Sequence, residues 1–365
     1  MKKKLLSLVL VAAMVLSVTA CSTETTESTS SSGTTDSSSG TVVGVSMPTQ
    51  DLQRWNQDGD NMKSELEAAG YTVEMQYASN DTATQVSQIE TMIANGCDVL
   101  VIAAIDGTTL GTVLEQAESE GIPVIAYDRL LMDSTAVSYY ATFDNYMVGT
   151  VQGEYIESTL DLANASEVYT MEITAGDPGD NNALYFYQGA MDVLQPYIDA
   201  GTIVITSGQT SFDEVATDLW STETAQARMD SILASYYSDG TNLDICLCSN
   251  DSTALGVTNS LESGYAGTWP VVTGQDCDVA NVYNILDGQQ SMSVFKDTRT
   301  LASQTVTMVT QMVNGEEVDV NDTTTYDNGA YVVPSYLCAP VFCDESNYET
   351  ILIDSGYYTA EDLGL

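Results

Sequence analysis

Three of the few cations in this chain stand where short apolar runs end: Arg54 beside Trp55, Arg129 directly after Asp128, and Lys296 directly before Asp297. Their scarcity is what makes them informative. The 365 residues carry nine Lys and Arg against 52 Asp and Glu, and three of the nine are Lys2, Lys3 and Lys4 at the amino terminus. Lys63, Arg228 and Arg299 complete the remainder; the full chain has a formal charge of −43, and without the three amino-terminal lysines six cations against 52 carboxylates leave −46. Histidine is absent, which removes the usual neutral-pH general base and the commonest zinc ligand. A chain that has shed nearly all its cations keeps these three beside carboxylates and an indole, where charge-assisted hydrogen bonding is the available chemistry.

Other polar residues gather at the same kind of position, just past an apolar run: Asp106, Asp144 and Asn145, Asn181 and Asn182, Trp220, Asn250 and Asp251, and Gln275 and Asp276. Asp accepts hydrogen bonds, Arg and Lys donate them, and Asn and Gln do both. Trp55 and Trp220 add flat apolar faces. Such a mixture suits a polyhydroxylated ring with C–H patches, such as a monosaccharide. Plainer readings stand beside this one. Asp106 and Asp144 could instead brace Arg129 or Arg54 from behind. The two tryptophans could be ordinary core. Arg228, amid Ala225, Ala227 and Met229, reads as a structural ion pair. The acidic clusters do not match an EF-hand loop, and no metal or cofactor is expected.

These residues need elements to hold them. From residue 41 onward, short apolar strands alternate with longer amphipathic helices. Strands are expected over 42–46, 72–77, 98–103 and 123–127, with helices over 54–69, 82–95 and 110–120. After 138–142 a second series follows, with strands over 168–173, 203–206, 245–249, 271–274 and 293–295. Its helices are expected over 145–158, 182–198, 222–237, 252–263 and 279–286, and a last one over 298–313. This rhythm predicts α/β architecture: two doubly wound, Rossmann-like lobes with parallel sheets covered on both faces. Ligands of such sheets sit beyond the carboxyl ends of the strands, where all the polar residues named above fall.

Residues 1–21 read as an export leader with a charged start and an apolar stretch too short for a confident membrane span. It ends Val18-Thr19-Ala20-Cys21, a lipobox-like run that would place diacylglycerol on Cys21. Residues 22–40 form a Ser/Thr-rich disordered tether of roughly 25 Å root-mean-square span. The protein is thus expected outside the cytoplasm, held to a membrane by its lipid alone. Its charge argues against nucleic-acid and anionic-lipid partners. The six later cysteines, Cys97, Cys246, Cys248, Cys277, Cys338 and Cys343, lack metal-finger spacing and read as buried small hydrophobes rather than disulfides.

Several short segments together resemble the multiple-monosaccharide-binding proteins of ABC importers, a branch of the type I periplasmic-binding-protein family. They include Met47-Pro48-Thr49, Arg54-Trp55, Tyr127-Asp128-Arg129-Leu130, Phe143-Asp144-Asn145, Gly179-Asp180-Asn181-Asn182, Gly274-Gln275-Asp276, Phe295-Lys296-Asp297 and Val333-Pro334-Ser335. The resemblance spans roughly 42–363. It implies a monomer of two lobes joined by a three-segment hinge that closes over one aldose and docks on a permease with its ATPase. It places Arg54 and Trp55 on the first-lobe wall and makes Asp128 and Arg129 an adjacent gripping pair. Asn182, Trp220, Asn250, Asp276 and Lys296 would be second-lobe and hinge contacts, and Asn145 would begin the second lobe. Ser249-Asn250-Asp251 departs from the close branch, which leaves the share of binding between Asn250 and Asp251 open. The lobes are expected over 41–144 plus 297–331 and over 145–296 plus 332–365, with crossovers near 143–145, 295–297 and 331–334. Two other functions remain to be weighed: a sugar-sensing receptor with the same site, and a secreted glycoside hydrolase, for which no carboxylate pair stands out.

Overall fold

The computed structural model describes residues 40–365. The leader, Cys21 and the tether up to residue 39 lie outside the described residues. In chain order the first elements are β1 (Val42–Met47), α1 (Gln53–Ala68), β2 (Thr72–Tyr77), α2 (Thr82–Asn95), β3 (Val99–Ile102), α3 (Gly111–Ser119), β4 (Val124–Tyr127) and β5 (Val137–Phe143). Next come α4 (Asn145–Thr159), β6 (Tyr169–Thr174), α5 (Asn181–Asp199), β7 (Ile203–Ile205), α6 (Phe212–Val215), α7 (Thr222–Ile232), β8 (Ile245–Cys248), α8 (Asp251–Gly264), β9 (Val271–Val272), α9 (Val279–Leu286) and β10 (Ser293–Phe295). The chain ends with α10 (Thr298–Asn314), β11 (Ser335–Cys338) and β12 (Val341–Cys343).

Two sheets result. The first runs β11-β5-β4-β3-β1-β2 and is parallel throughout. The second runs β7-β6-β8-β9, also parallel, and a bridge from Gln275 to Val294 extends it toward β10. Strands such as Val99–Ile102 and Ile245–Cys248 are apolar along their whole length because helices cover both faces. One face of the first sheet buries Val43, Val45 and Met47 against Trp55, Met62 and Leu66 of α1; the other buries Leu100 and Ile102 against Ile89, Met92 and Leu114. Cys246 and Cys248, two apart on β8, both enter one cluster with Val257 and Leu261. The six cysteines among the described residues are all buried and unpaired.

Helix starts coincide with strand ends, and the caps do double duty. Asp144, Asp180, Asn250 and Asp297 each accept a backbone N–H as the N-cap of α4, α5, α8 and α10. Two of these caps, Asp180 and Asn250, also line the cleft between the sheets.

The third crossover differs from expectation. β11 pairs with β5 from Ser335–Tyr140 to Cys338–Phe143, so the chain remains in the first lobe through Cys338. β12 then pairs antiparallel with β10 in the second lobe. The crossing therefore falls at Ala339-Pro340, not at 331–334, and 332–338 leave the second lobe for the first. A four-residue strand announces itself poorly in sequence. Pro340 marks the break, because it has no N–H for either ladder.

Candidate ligand-binding site

The carboxyl ends of the two sheets face each other across a narrow, largely filled cavity. From the first lobe, Leu52, Arg54 and Trp55 arrive on the first turn of α1, and Asp128 and Arg129 follow β4. From the second lobe come Asp180, Asn182 and Phe186 of the α5 start, Trp220, Asn250 and Ser252. Gln275, Asp276 and Asp278 follow β9, and Lys296 stands on the second crossover.

The cations organise this wall. The Arg54 guanidinium donates to Asp58 Oδ2 at 2.8 and 3.0 Å and to Asp128 Oδ2 at 2.9 Å. It lies 3.6 Å from Asp276 of the other lobe and 4.5 Å over the Trp55 ring. Arg129 shares that ring at 5.0 Å and donates to the carbonyls of Ala104 and Ile105 at 3.0 and 3.2 Å. Its Nε lies 3.0 Å from Asp180 Oδ2 across the cleft, a charge contact whose N–H is not aligned on the oxygen. Lys296 Nζ sits 3.0 Å from Asp276 Oδ1, with the rings of Phe143 and Phe186 each 5.6 Å away. The expected Asp128–Arg129 pair is thus redistributed: Asp128 pairs with Arg54, and Arg129 reaches Asp180.

Burial and charge divide the carboxyls. Burial pushes Asp128 upward, but Arg54, Lys296 and Arg129 together outweigh it and hold the group below its ordinary range. Burial dominates at Asp180 and raises it despite Arg129. Asp58, buried and close to Asp128, is raised despite Arg54. Asp278 is pushed up to about 7 by burial and by Asp276, against the pull of Arg54 and Lys296. Behind it, burial and Asp278 drive Asp251 well above its ordinary value.

The backbone is specialised here. Asp128, Trp220 and Asp276 have φ of +58°, +57° and +100°, a left-handed region that ordinary residues avoid unless the surroundings enforce it. The Asp128 carbonyl accepts from Tyr140, Thr142 and Asn182, at 2.6, 2.9 and 2.6 Å. The Asn182 bond joins the lobes. Gly176 lies flat under Trp220, where a Cβ would come within 1.9 Å of the indole.

Of the residues the sequence singled out, Arg54, Trp55, Asp128, Arg129, Asn182, Trp220, Asn250, Gln275, Asp276 and Lys296 line the cavity. Others do not. Asp106 folds its carboxylate back onto the N–H and hydroxyl of Thr108, at 2.8 and 2.7 Å, in a local turn. Asn145 stands behind the wall and donates to Asn182 Oδ1 at 2.9 Å. Asp251 turns into the second lobe, accepting from Asp278 N–H, Gln290 and Ser293 at 2.8, 2.9 and 2.9 Å. The division between Asn250 and Asp251 is therefore wall and support. Asp106 and Asp144 brace neither arginine, since Asp144 accepts from Met147 N–H. Among the described residues Arg228 makes no ion pair; it donates to the Ile173 carbonyl at 2.7 Å and Gln209 at 2.6 Å, within the second lobe. Leu52, Asp180, Phe186, Ser252 and Asp278 escaped the sequence reading. Asp180 had a usable signal, a helix-capping Asp directly before Asn181-Asn182.

Two doubly wound lobes, three crossovers and a polar cavity between them define the class. The chain belongs to the periplasmic binding protein family, whose domain matches residues 43–317. It is 48% identical over 326 residues to the multiple sugar-binding periplasmic receptor ChvE of Rhizobium radiobacter, covering 88% of this chain and 92% of that protein. It is 33% identical over 321 residues to the D-xylose-binding periplasmic protein of Escherichia coli, with 88% and 92% covered. Among solved structures, an ABC transporter solute-binding protein of Clostridium phytofermentans with bound β-D-glucose superposes with a TM-score of 0.87. That structure is 67% identical and covers 88% of this chain and 99% of its own.

Proposed function

We propose that this chain is an extracytoplasmic lipoprotein, anchored through Cys21, that binds an aldose in the interlobe cavity and delivers it to an ABC permease. One observation carries the reading. Trp220 Nε1, Gln275 Oε1 and Asp278 Oδ1 are buried around one cavity without a hydrogen-bond partner, and Arg129 Nε and Asp276 Oδ1 have only ion-pair contacts there, with no aligned hydrogen bond. An unsatisfied buried polar atom costs about 1–3 kcal/mol, so a cluster of donors and acceptors calls for a ligand that offers both. Alcohols do, and an indole face beside them suits a pyranose. The relatives that bind several sugars, D-xylose or β-D-glucose support the same choice. The sugar bridges both walls, so it stabilises the closed arrangement over the open one.

Melting should rise with D-glucose or D-xylose in a thermal-shift panel of aldoses, because free ligand at 100 times Kd adds about 2.7 kcal/mol. A folded chain whose melting no aldose moves would sink the reading.

Closure should also take up a proton. In the closed cleft Asp278 titrates near 7, and opening to water returns it toward an ordinary carboxyl. The raised value belongs to the closed state, so its contribution is full at low pH and is lost as pH rises through about 7. Sugar affinity is expected to weaken between pH 5 and 8. Calorimetry at pH 6 in buffers of different ionisation enthalpy should report net proton uptake, and Asp278→Asn should reduce it.

A further inference from the structure

The lobes meet at a second place, beside the cavity and outside it. Helix α1 carries Gln53 and Gln57 one turn apart, and both side-chain amides serve the other lobe. Gln53 Nε2 donates to the Tyr358 hydroxyl at 2.7 Å, and its Oε1 accepts from Val279 N–H at 3.2 Å. Gln57 Nε2 donates to the same hydroxyl at 3.1 Å, and its Oε1 accepts from the Tyr357 hydroxyl at 3.0 Å. Tyr358 donates in turn to the Cys277 carbonyl at 3.0 Å. Its ring is buried in the second lobe with Cys277, Val282 and Leu363. Among the described residues, neither glutamine side chain makes a hydrogen bond within its own lobe.

We infer that the Gln53–Gln57 pair and the Tyr357–Tyr358 pair form a clasp that sets affinity by holding the lobes together, without reading the ligand. The inference rests on the sugar-binding reading and adds residues that never touch the sugar. Position makes the clasp sensitive to closure. Gln53 lies between Leu52 and Arg54, and Val279 follows Asp278, all three neighbours being cavity residues. A motion that parts those walls must break the Gln53–Val279 bond. The clasp therefore favours the closed state by an amount that does not depend on which sugar is enclosed. Apparent affinity scales with the population of the binding-competent state, so weakening the clasp lowers affinity for every ligand by one common factor.

The test uses the full chain and isothermal titration with D-glucose and D-xylose on the unaltered protein, Gln53→Ala and Tyr358→Phe. Each variant is expected to bind both sugars roughly 3- to 30-fold more weakly, with faster release and an unchanged glucose-to-xylose ratio. Gln53→Ala should melt within about 2 °C of the unaltered chain when sugar-free, which separates the clasp from general stability. Unaltered affinity in both variants overturns the clasp alone. A loss confined to one sugar overturns it too, since Gln53 would then be reading the ligand. An unaltered chain that binds no aldose removes the sugar reading and the clasp with it.

Discussion

Arg129→Ala will bind D-glucose about 30-fold to several-thousand-fold more weakly than the unaltered chain, a loss of roughly 2–5 kcal/mol. The guanidinium makes three kinds of contact that alanine cannot replace. It satisfies the carbonyls of Ala104 and Ile105, it lies on the Trp55 face, and it neutralises Asp180 of the opposite lobe. Without it Asp180 stays buried with no cation, and its already raised pKa climbs further. The group then takes up a proton more readily, so the affinity lost should be smaller at pH 5 than at pH 8. Titration calorimetry at both pH values checks the claim. Affinity within threefold of the unaltered chain would remove Arg129 from the binding machinery.

Lys296→Met is expected to lower stability by about 3–5 kcal/mol, the usual consequence of deleting one partner of a buried ion pair. Lys296 is 3% exposed and is the nearest cation to Asp276, 3.0 Å away, while Arg54 stands at 3.6 Å. Methionine keeps an apolar stem but removes Nζ, so the loss reports the ammonium's ion pair together with its 5.6 Å approach to the Phe143 and Phe186 rings. Asp276 and Asp278 would then confront each other with less compensation. Denaturant unfolding of the single variant and of Lys296→Met/Asp276→Asn gives the check, because neutralising the stranded carboxylate should restore most of the loss. A single variant as stable as the unaltered chain would contradict the assigned pairing.

Much of this arrangement was legible in the sequence because two independent signals coincide. Apolar runs locate strand ends, and a chain nearly stripped of cations marks which ends matter; Arg54, Arg129 and Lys296 satisfy both tests. What stayed hidden has physical reasons. Asp278 is one of 52 carboxylates, and only its burial beside Asp276 distinguishes it. Asp251 and Asp106 occupy strand ends as the cavity residues do, yet hydrogen bonds to Ser293 and to Thr108 turn them away. Pairing across space is also invisible to adjacency: Asp128 and Arg129 are neighbours in sequence and find partners elsewhere. β11 is four residues long and draws its register from β5, almost two hundred positions earlier.

The burial of three of the six cations among the described residues reaches beyond recognition. Trypsin-like proteases cut after lysine or arginine, and in the closed protein Arg54, Arg129 and Lys296 are sealed between the lobes. Arg228 is tied to the Ile173 carbonyl. Lys63 and Arg299, with side chains 53% and 34% exposed, are the principal cleavage points left on the described surface. An extracytoplasmic chain thus presents such enzymes with few places to bite, and fewest while the lobes are closed.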